Sequence, residues 1–474
     1  MSVKAKSKID TLMIKVIYAF IVGISFIKGA YLSETDIFWQ IRSGQDITDT
    51  GQIISSEKWN WLVAGKEWMP NSWLWNIILA FFYDHGGIVA VGTFVGAFTA
   101  LTLLLAWKLI ELSGLSSRFV QFGVMLALIV AVFPWVSGRP QQADYMLLII
   151  FYIVALTLKA FSYKSRLLIV TISSLILSML WMNLHLTAPF GVFLFAAGYW
   201  AISCLHFNES WQQKLIASAS VSFAGLVGLF ITPFGISGLL KTLLVTDESK
   251  DLITEWMPPE ISTSSGLITY LTIALFGIGV LLIALKAKQW ILAIALVVLV
   301  IFSFEAIRFA PFLAIFALIA VSLIPEVKVK QDQLLAGLLA GLSAIVFVGG
   351  VVTASYLASH PNLMTFIQPN SLDEVPQGAR LLTLPNGGST AILFRPDISP
   401  STDGRNDVVG KDQILDVIYL YLEADSSEVK DWLDAELVDA VFVDMENGYK
   451  ITDSMEKIGW SSDKVPDGML YLRT

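Results

Sequence analysis

Residues 119–136 read FVQFGVMLALIVAVFPWV, a run without one charged side chain. Such a run has no polar face to offer water, so it cannot be an ordinary surface helix. It approaches the roughly 20 apolar residues that a helix needs to cross a bilayer core. Residues 289–303 are equally free of charge. The whole chain of 474 residues is 55% hydrophobic and 15% charged, with a mean hydropathy of +0.68, whereas a soluble domain carries about a quarter charged residues. The chain therefore reads as an all-α polytopic membrane protein.

Working outward from that run, apolar stretches near 12–31, 87–107, 119–136, 145–161, 167–184, 189–205, 215–233, 267–285, 290–307, 309–324 and 334–357 predict about 11 transmembrane helices. The positive-inside rule sets their orientation. Lys4, Lys6 and Lys8 place the N-terminus in the cytoplasm. Alternation then puts Lys108 with Arg118, Lys159 with Lys164 and Arg166, Lys214, Lys286 with Lys288, and Lys328 with Lys330 on that same side. An odd number of spans sends the C-terminus outside. No small-residue cleavage site follows the run Leu12 to Leu32, so the first helix is expected to be retained rather than removed as a signal peptide. The net charge of −8 comes largely from the last hundred residues. It describes a solvated tail and offers no basic groove for nucleic acid. Cys204 is the single cysteine, which excludes an intramolecular disulfide.

Two external loops are long, near 32–86 and 234–266. The first holds Trp39, Trp59, Trp61, Trp68, Trp73 and Trp75, six of fifteen tryptophans. An aromatic belt at the headgroups accounts for about half of them; the interleaved polar residues and the loop's length point to function. Residues 1–357 thus form a transmembrane module, and 358–474 a small external α/β domain. In the latter, Leu381–Leu384, Ala391–Phe394 and Val438–Val443 read as strands, and Met469–Leu472 closes the chain. Asp412–Leu422, Ser427–Leu433 (capped by Ser426) and a segment near 449–458 read as helices, with Ser399–Asp407 a loop.

The first loop opens Glu34-Thr35-Asp36-Ile37-Phe38-Trp39-Gln40. Two carboxylates two residues apart at a membrane boundary can cap the next helix, bind a cation, or activate a hydroxyl as a general base. Further motifs follow in order: Gly51, Gly65-Lys66-Glu67-Trp68, Pro70, Trp73-Leu74 and Gly86-Gly87. Then come Arg139-Pro140-Gln141, Trp181-Met182-Asn183-Leu184-His185, Glu255-Trp256-Met257-Pro258-Pro259 and, in the tail, Asp403-Gly404-Arg405. This ordered set resembles the GT-C superfamily of polyprenyl-phosphate-sugar-dependent glycosyltransferases, and an uncharacterised bacterial branch of it most of all. In two places the chain departs from that branch: Glu34 stands where an Asp is usual, and Gln40 where a His is usual. Glu34 keeps a carboxylate. Gln40 cannot act as acid, base or cation at neutral pH.

The resemblance implies a GT-C-like integral membrane glycosyltransferase of inverting type in the bacterial plasma (inner) membrane. It would move a sugar from a polyprenyl-phosphate carrier to an external glycan, lipid or protein acceptor. It implies Asp36 as general base and Glu34, Trp39, Arg139, Asn183, His185, Glu255 and Arg308 as substrate-binding residues. No cofactor is expected, a divalent cation stays open, and membrane lipid is a partner. The chemistry suits these residue types. Attack at the anomeric carbon needs a base near the acceptor and positive charge near the leaving phosphate, and guanidiniums such as Arg139, Arg308 and Arg42 bind phosphate bidentately. A partly desolvated Asp36 would have a raised pKa and be a better base.

Plainer readings stand beside these. Arg308 can pair with Glu305 three residues earlier, Arg139 can snorkel, Arg42 can lie on a solvated helix face, and His185 can be a satisfied interfacial residue. Glu255 and Glu260 flank either a lid or a solvated loop. Two other functions compete: a transporter or flippase of lipid-linked sugars, and a non-catalytic envelope scaffold. Few ionisable residues fall at mid-span, where a charge costs about 2.5–3.5 kcal/mol and usually marks a transport path. Gln40 keeps the scaffold open.

Overall fold

The computed structural model describes residues 3–32, 34–115, 117–238, 240, 253–324, 333–444 and 449–474. Residues 239 and 241–252 of the expected second external loop, and Lys328 with Lys330, lie outside these. Helices run in the order α1 (Val3–Ala30), α2 (Asp36–Thr50), α3 (Trp73–Leu112), α4 (Arg118–Val132), α5 (Gln141–Thr157), α6 (Tyr163–Leu184), α7 (Ala188–His206) and α8 (Trp211–Leu229). The apolar helices Ser264–Lys286, Trp290–Glu305, Ile307–Leu323 and Gln333–Ser359 follow. Each expected apolar run falls on a helix. The expected eleven is thus a count of apolar helical stretches. Among the described residues, seven helices are long and apolar enough to cross a membrane, while Trp290–Glu305 and Ile307–Leu323 are apolar but shorter. The helix α3 is interrupted at the quoted Gly86-Gly87 pair. Gly87 adopts φ +60°, a region that side chains with a Cβ resist.

The chain divides into two units that interleave in sequence. The first is drawn from Met1–Ala30, Thr93–Thr242 and Ile253–Tyr356. Its helices approach closely at small residues: Gly198 lies against the Tyr152 ring, Gly191 against Trp181, and Gly225 against Val192. Lipid tails give helices no hydrophobic drive to associate, so close packing of this kind has to hold them. The outward faces are apolar. Leu168, Ile172 and Ile176, one stripe of α6, are exposed, as are Phe223 and Ile294. In water such faces would aggregate, whereas in lipid they are the solvated surface. The protein is a multi-pass membrane protein.

The second unit joins Tyr31–Gly92 to Leu357–Thr474. A five-stranded mixed sheet, ordered β2-β1-β3-β5-β4, forms its centre. The strands are β1 (Arg380–Leu382), β2 (Ser399–Pro400), β3 (Ala440–Asp444), β4 (Ser461–Val465) and β5 (Gly468–Leu472). β1 is parallel to β2 and β3, and β5 is antiparallel to β3 and β4. Side chains alternate across a strand. Ala440 and Phe442 of β3 join Leu381, Ala391 and Leu470 on one face. Val441 and Val443 join Leu382, Tyr421 and Ile451 on the other. Burial on both faces is why this strand reads as an unbroken apolar run.

Four tail assignments are corrected, the first being the loop Ser399–Asp407, whose first two residues pair as β2 and whose last two open a short helix, Asn406–Val409. Ala391–Phe394 ends a helix, Pro385–Phe394, rather than forming a strand. A four-residue apolar run carries no period to decide between them, and Pro385 in the first turn is well placed to start a helix. The helix Ser426–Ala435 is capped by Asp425, whose carboxylate accepts from Ser427 and Glu428 in a full capping box. The strand β4 was not expected, because its residues SSDKV are almost wholly exposed and polar.

Candidate active site

The second unit builds a site around the head of α2. Asp36 opens that helix. Thr35 Oγ donates to Asn386 Oδ1 at 2.9 Å, and Phe38 packs edge-on to Phe394 at 5.3 Å. Helix Pro385–Phe394 therefore seats α2. The side of Asp36 is met by the tail turn Asp403-Gly404-Arg405: a Cβ built on Gly404 would fall inside the radius of Asp36 Oδ1. Trp39 and Gln40 are buried, and among the described residues Trp39 Nε1 and Gln40 Oε1 have no hydrogen-bond partner.

Arg405 anchors that turn. Its guanidinium packs against both the Trp59 and Trp68 rings, 4.4 and 4.5 Å from their centroids. It pairs with Asp403 at 2.6 Å and with Glu57. Burial works against its charge, but Asp403 and Glu57 raise its pKa and keep it protonated. Glu57 also accepts the backbone N–H groups of Trp59 at 2.6 Å and Asn60 at 2.8 Å. Asn60 Nδ2 donates to Asp403 Oδ2 at 2.6 Å. The first loop is thus tied to the tail by a buried, charge-assisted network. Its tryptophans serve that purpose more than a headgroup belt: Trp39 and Trp68 share a core with Ile392, Val408 and Ile414, and Trp59 packs against it. Trp61 packs beside Trp432. Arg42 is half-buried and pairs at 3.3 Å with Asp46, which is itself buried, so it does not lie on a fully solvated face.

Asp407 accepts from Trp68 Nε1 at 3.3 Å. The Asp407 residue as a whole is exposed.

The first unit gathers the other candidates. Arg139, just before α5, pairs with Glu255, and Gln141 Nε2 donates to the other Glu255 oxygen at 3.1 Å. Burial alone would raise Glu255, but Arg139, Arg308, Gln141 and His185 outweigh it and hold its carboxyl low. Arg308 is buried with its guanidinium 4.1 Å from the Trp256 ring centroid. Glu305 is exposed, and no ion pair joins it to Arg308 among the described residues. His185 Nδ1 lies 2.6 Å from Asp144 Oδ2, which also accepts from Thr187 Oγ at 2.7 Å. Trp181 Nε1 closes the group by donating to Thr187 Oγ at 3.0 Å. Asn183 donates to the Met179 and Ile231 carbonyls, and Glu260 is exposed. The structure thus brings Arg139, His185, Glu255 and Arg308 into one charged cluster. It adds Asp144, which sequence reasoning missed; its signal was a carboxylate in the first turn of α5, three residues after Gln141.

No family model matches the chain, and no curated protein matches it in sequence. Solved structures match it in fold. One is the Archaeoglobus fulgidus oligosaccharyltransferase tethered by a disulfide bond to an acceptor peptide containing the NVT sequon. It is 11% identical, over 92% of this chain and 69% of that one, with a TM-score of 0.56. Another is the archaeal oligosaccharyltransferase AglB from A. fulgidus, in complex with an inhibitory peptide and a dolichol-phosphate: 11% identical over 100% of this chain and 75% of that one, TM-score 0.54. A third is the A. fulgidus oligosaccharyltransferase in complex with Zn and sulfate: 11% identical over 90% and 68%, TM-score 0.51. The chain shares the fold of these oligosaccharyltransferase structures. At this identity the likeness defines the architecture and assigns no residue a role. Among the described residues, no group of three or more His, Cys, Asp or Glu is placed to hold a metal ion.

Proposed function

We propose that the chain is a membrane glycosyltransferase that moves a sugar or glycan from a polyprenyl-phosphate carrier to an acceptor outside the cytoplasm. The observation that carries this reading is the fold, shared over nearly the whole chain with an enzyme seen with dolichol-phosphate and peptide. Residues 1–357 form the membrane module with its external loops, and 358–474 the external domain. Asp36 acts as general base on the acceptor hydroxyl or amide, with inversion at the anomeric carbon. Arg139 and Arg308 take the phosphate, His185, Glu255 and Asn183 order that site, and Glu34 and Trp39 contact substrate beside Asp36. Glu255 neutralises Arg139 while no phosphate is bound, so an incoming phosphate exchanges one anion for another. The resemblance and the basic loops support a bacterial inner-membrane location with the N-terminus inside.

The test is reconstitution of the full chain in liposomes with polyprenyl-phosphate-linked sugars, scoring radiolabel transferred to peptide, lipid or glycan acceptors. Parallel reactions with EDTA decide whether a divalent cation assists. Transfer from a lipid-linked donor is expected. Donor movement across the bilayer without transfer would favour a flippase, and neither activity with any donor would leave the scaffold.

A further inference from the structure

Gly404 stands in the tail, yet its environment is set by the first loop. Its backbone does not demand glycine, because its φ lies outside the left-handed region that glycine alone tolerates well. What excludes a side chain is space. A Cβ there would overlap Asp36 Oδ1, with Ser389 Oγ 3.5 Å away. The turn cannot yield easily. The Gly404 N–H donates to Ser389 Oγ at 3.1 Å, and Ser389 is buried. On one side, a Cβ at Gly388 would overlap the Thr402 carbonyl, so helix Pro385–Phe394 already abuts the turn. On the other, Arg405 is locked by Asp403, Glu57 and two tryptophan rings. The Asp36 end is seated as well, since neighbouring Thr35 is tied to Asn386 of that same helix.

From this geometry we propose that Gly404 is a positioning residue: the tail turn forms a fixed wall that sets where the Asp36 carboxylate points. This rests on the reading of Asp36 as base. Its added content is that the tail completes the catalytic site rather than hanging beside it. A carboxylate pushed aside by one methyl group stays present and charged, but its oxygen misses the acceptor proton. Misplacement of about 1 Å can cost up to roughly 100-fold in rate.

The experiment compares full-length wild type, Gly404→Ala, Asp36→Ala and the double variant, in transfer assays and melts. Gly404→Ala is expected to lower kcat about 10–100-fold with KM for the lipid-linked donor unchanged, and to lower the melting temperature. The melting loss should vanish in the Asp36→Ala background, where the methyl has room; a merely structural glycine would cost the same in both. Wild-type kcat in Gly404→Ala, or equal melting losses in the two backgrounds, overturns the proposal. The reading of Asp36 fails separately, if Asp36→Ala itself turns over normally. The wall has then lost its catalytic meaning, and the coupled melts report only the contact.

Discussion

Asp36→Asn is expected to bind lipid-linked donor as the wild type does and to turn over at least about 100-fold more slowly, because removing a general base typically costs roughly 10²–10⁴-fold. The substitution keeps size and one acceptor oxygen, so the contact with Gly404 and the start of α2 should survive. The melting temperature is the control. Glu34, two residues earlier and outside the helix, does not share a helix face with Asp36, and Glu34→Gln is expected to be the milder change. The roles would have to be exchanged if Asp36→Asn were active and Glu34→Gln dead. If both variants worked at the wild-type rate, the base would lie elsewhere, and Asp144 beside His185 would be the next carboxylate to test.

Much of the architecture was legible because the bilayer imposes one rule on every crossing: a helix with no polar face. The run at 119–136 therefore falls on α4 and on the short helical turn Phe133–Trp135 that continues it. The tail was legible where burial wrote a pattern, as in Val438–Val443, and misread where it did not, as in Ala391–Phe394 and the polar β4. Sites were harder. Arg139, His185, Glu255 and Arg308 each drew notice alone through a motif or a boundary position, but nothing local says that Arg139 meets Glu255 116 positions away. The clasp of Glu57 on Arg405 spans 348 positions. The tryptophans around it look, in sequence, just like a headgroup belt. Periodicity reports which way a side chain faces, and it is silent on which distant partner that face finds.

That clasp carries the other large expected effect. The Arg405 side chain is wholly buried, as is Glu57, and the two carboxylates it serves have been taken out of water together with it. Removing one partner of such a group leaves the others charged and unpaired, which typically costs about 3–5 kcal/mol. The two indole faces lose a desolvated cation as well, worth about 2 kcal/mol or more. Arg405→Ala should therefore lower the apparent melting temperature of the tail by more than about 10 °C, at some 4–8 °C per kcal/mol for a domain near this size, and expose the first loop to protease. Arg405→Lys keeps the charge but not the planar fork that meets Asp403 through both Nε and NH2, so it should fall between the two. The informative variant is Glu57→Gln with Arg405→Met. It removes opposite charges together and keeps an apolar stem against the tryptophans, and should melt above Arg405→Ala even though more of the network is gone. If Arg405→Ala melted within about 2 °C of wild type, the network would be passive. The Gly404 turn would then have to be held by its packing on helix Pro385–Phe394 alone.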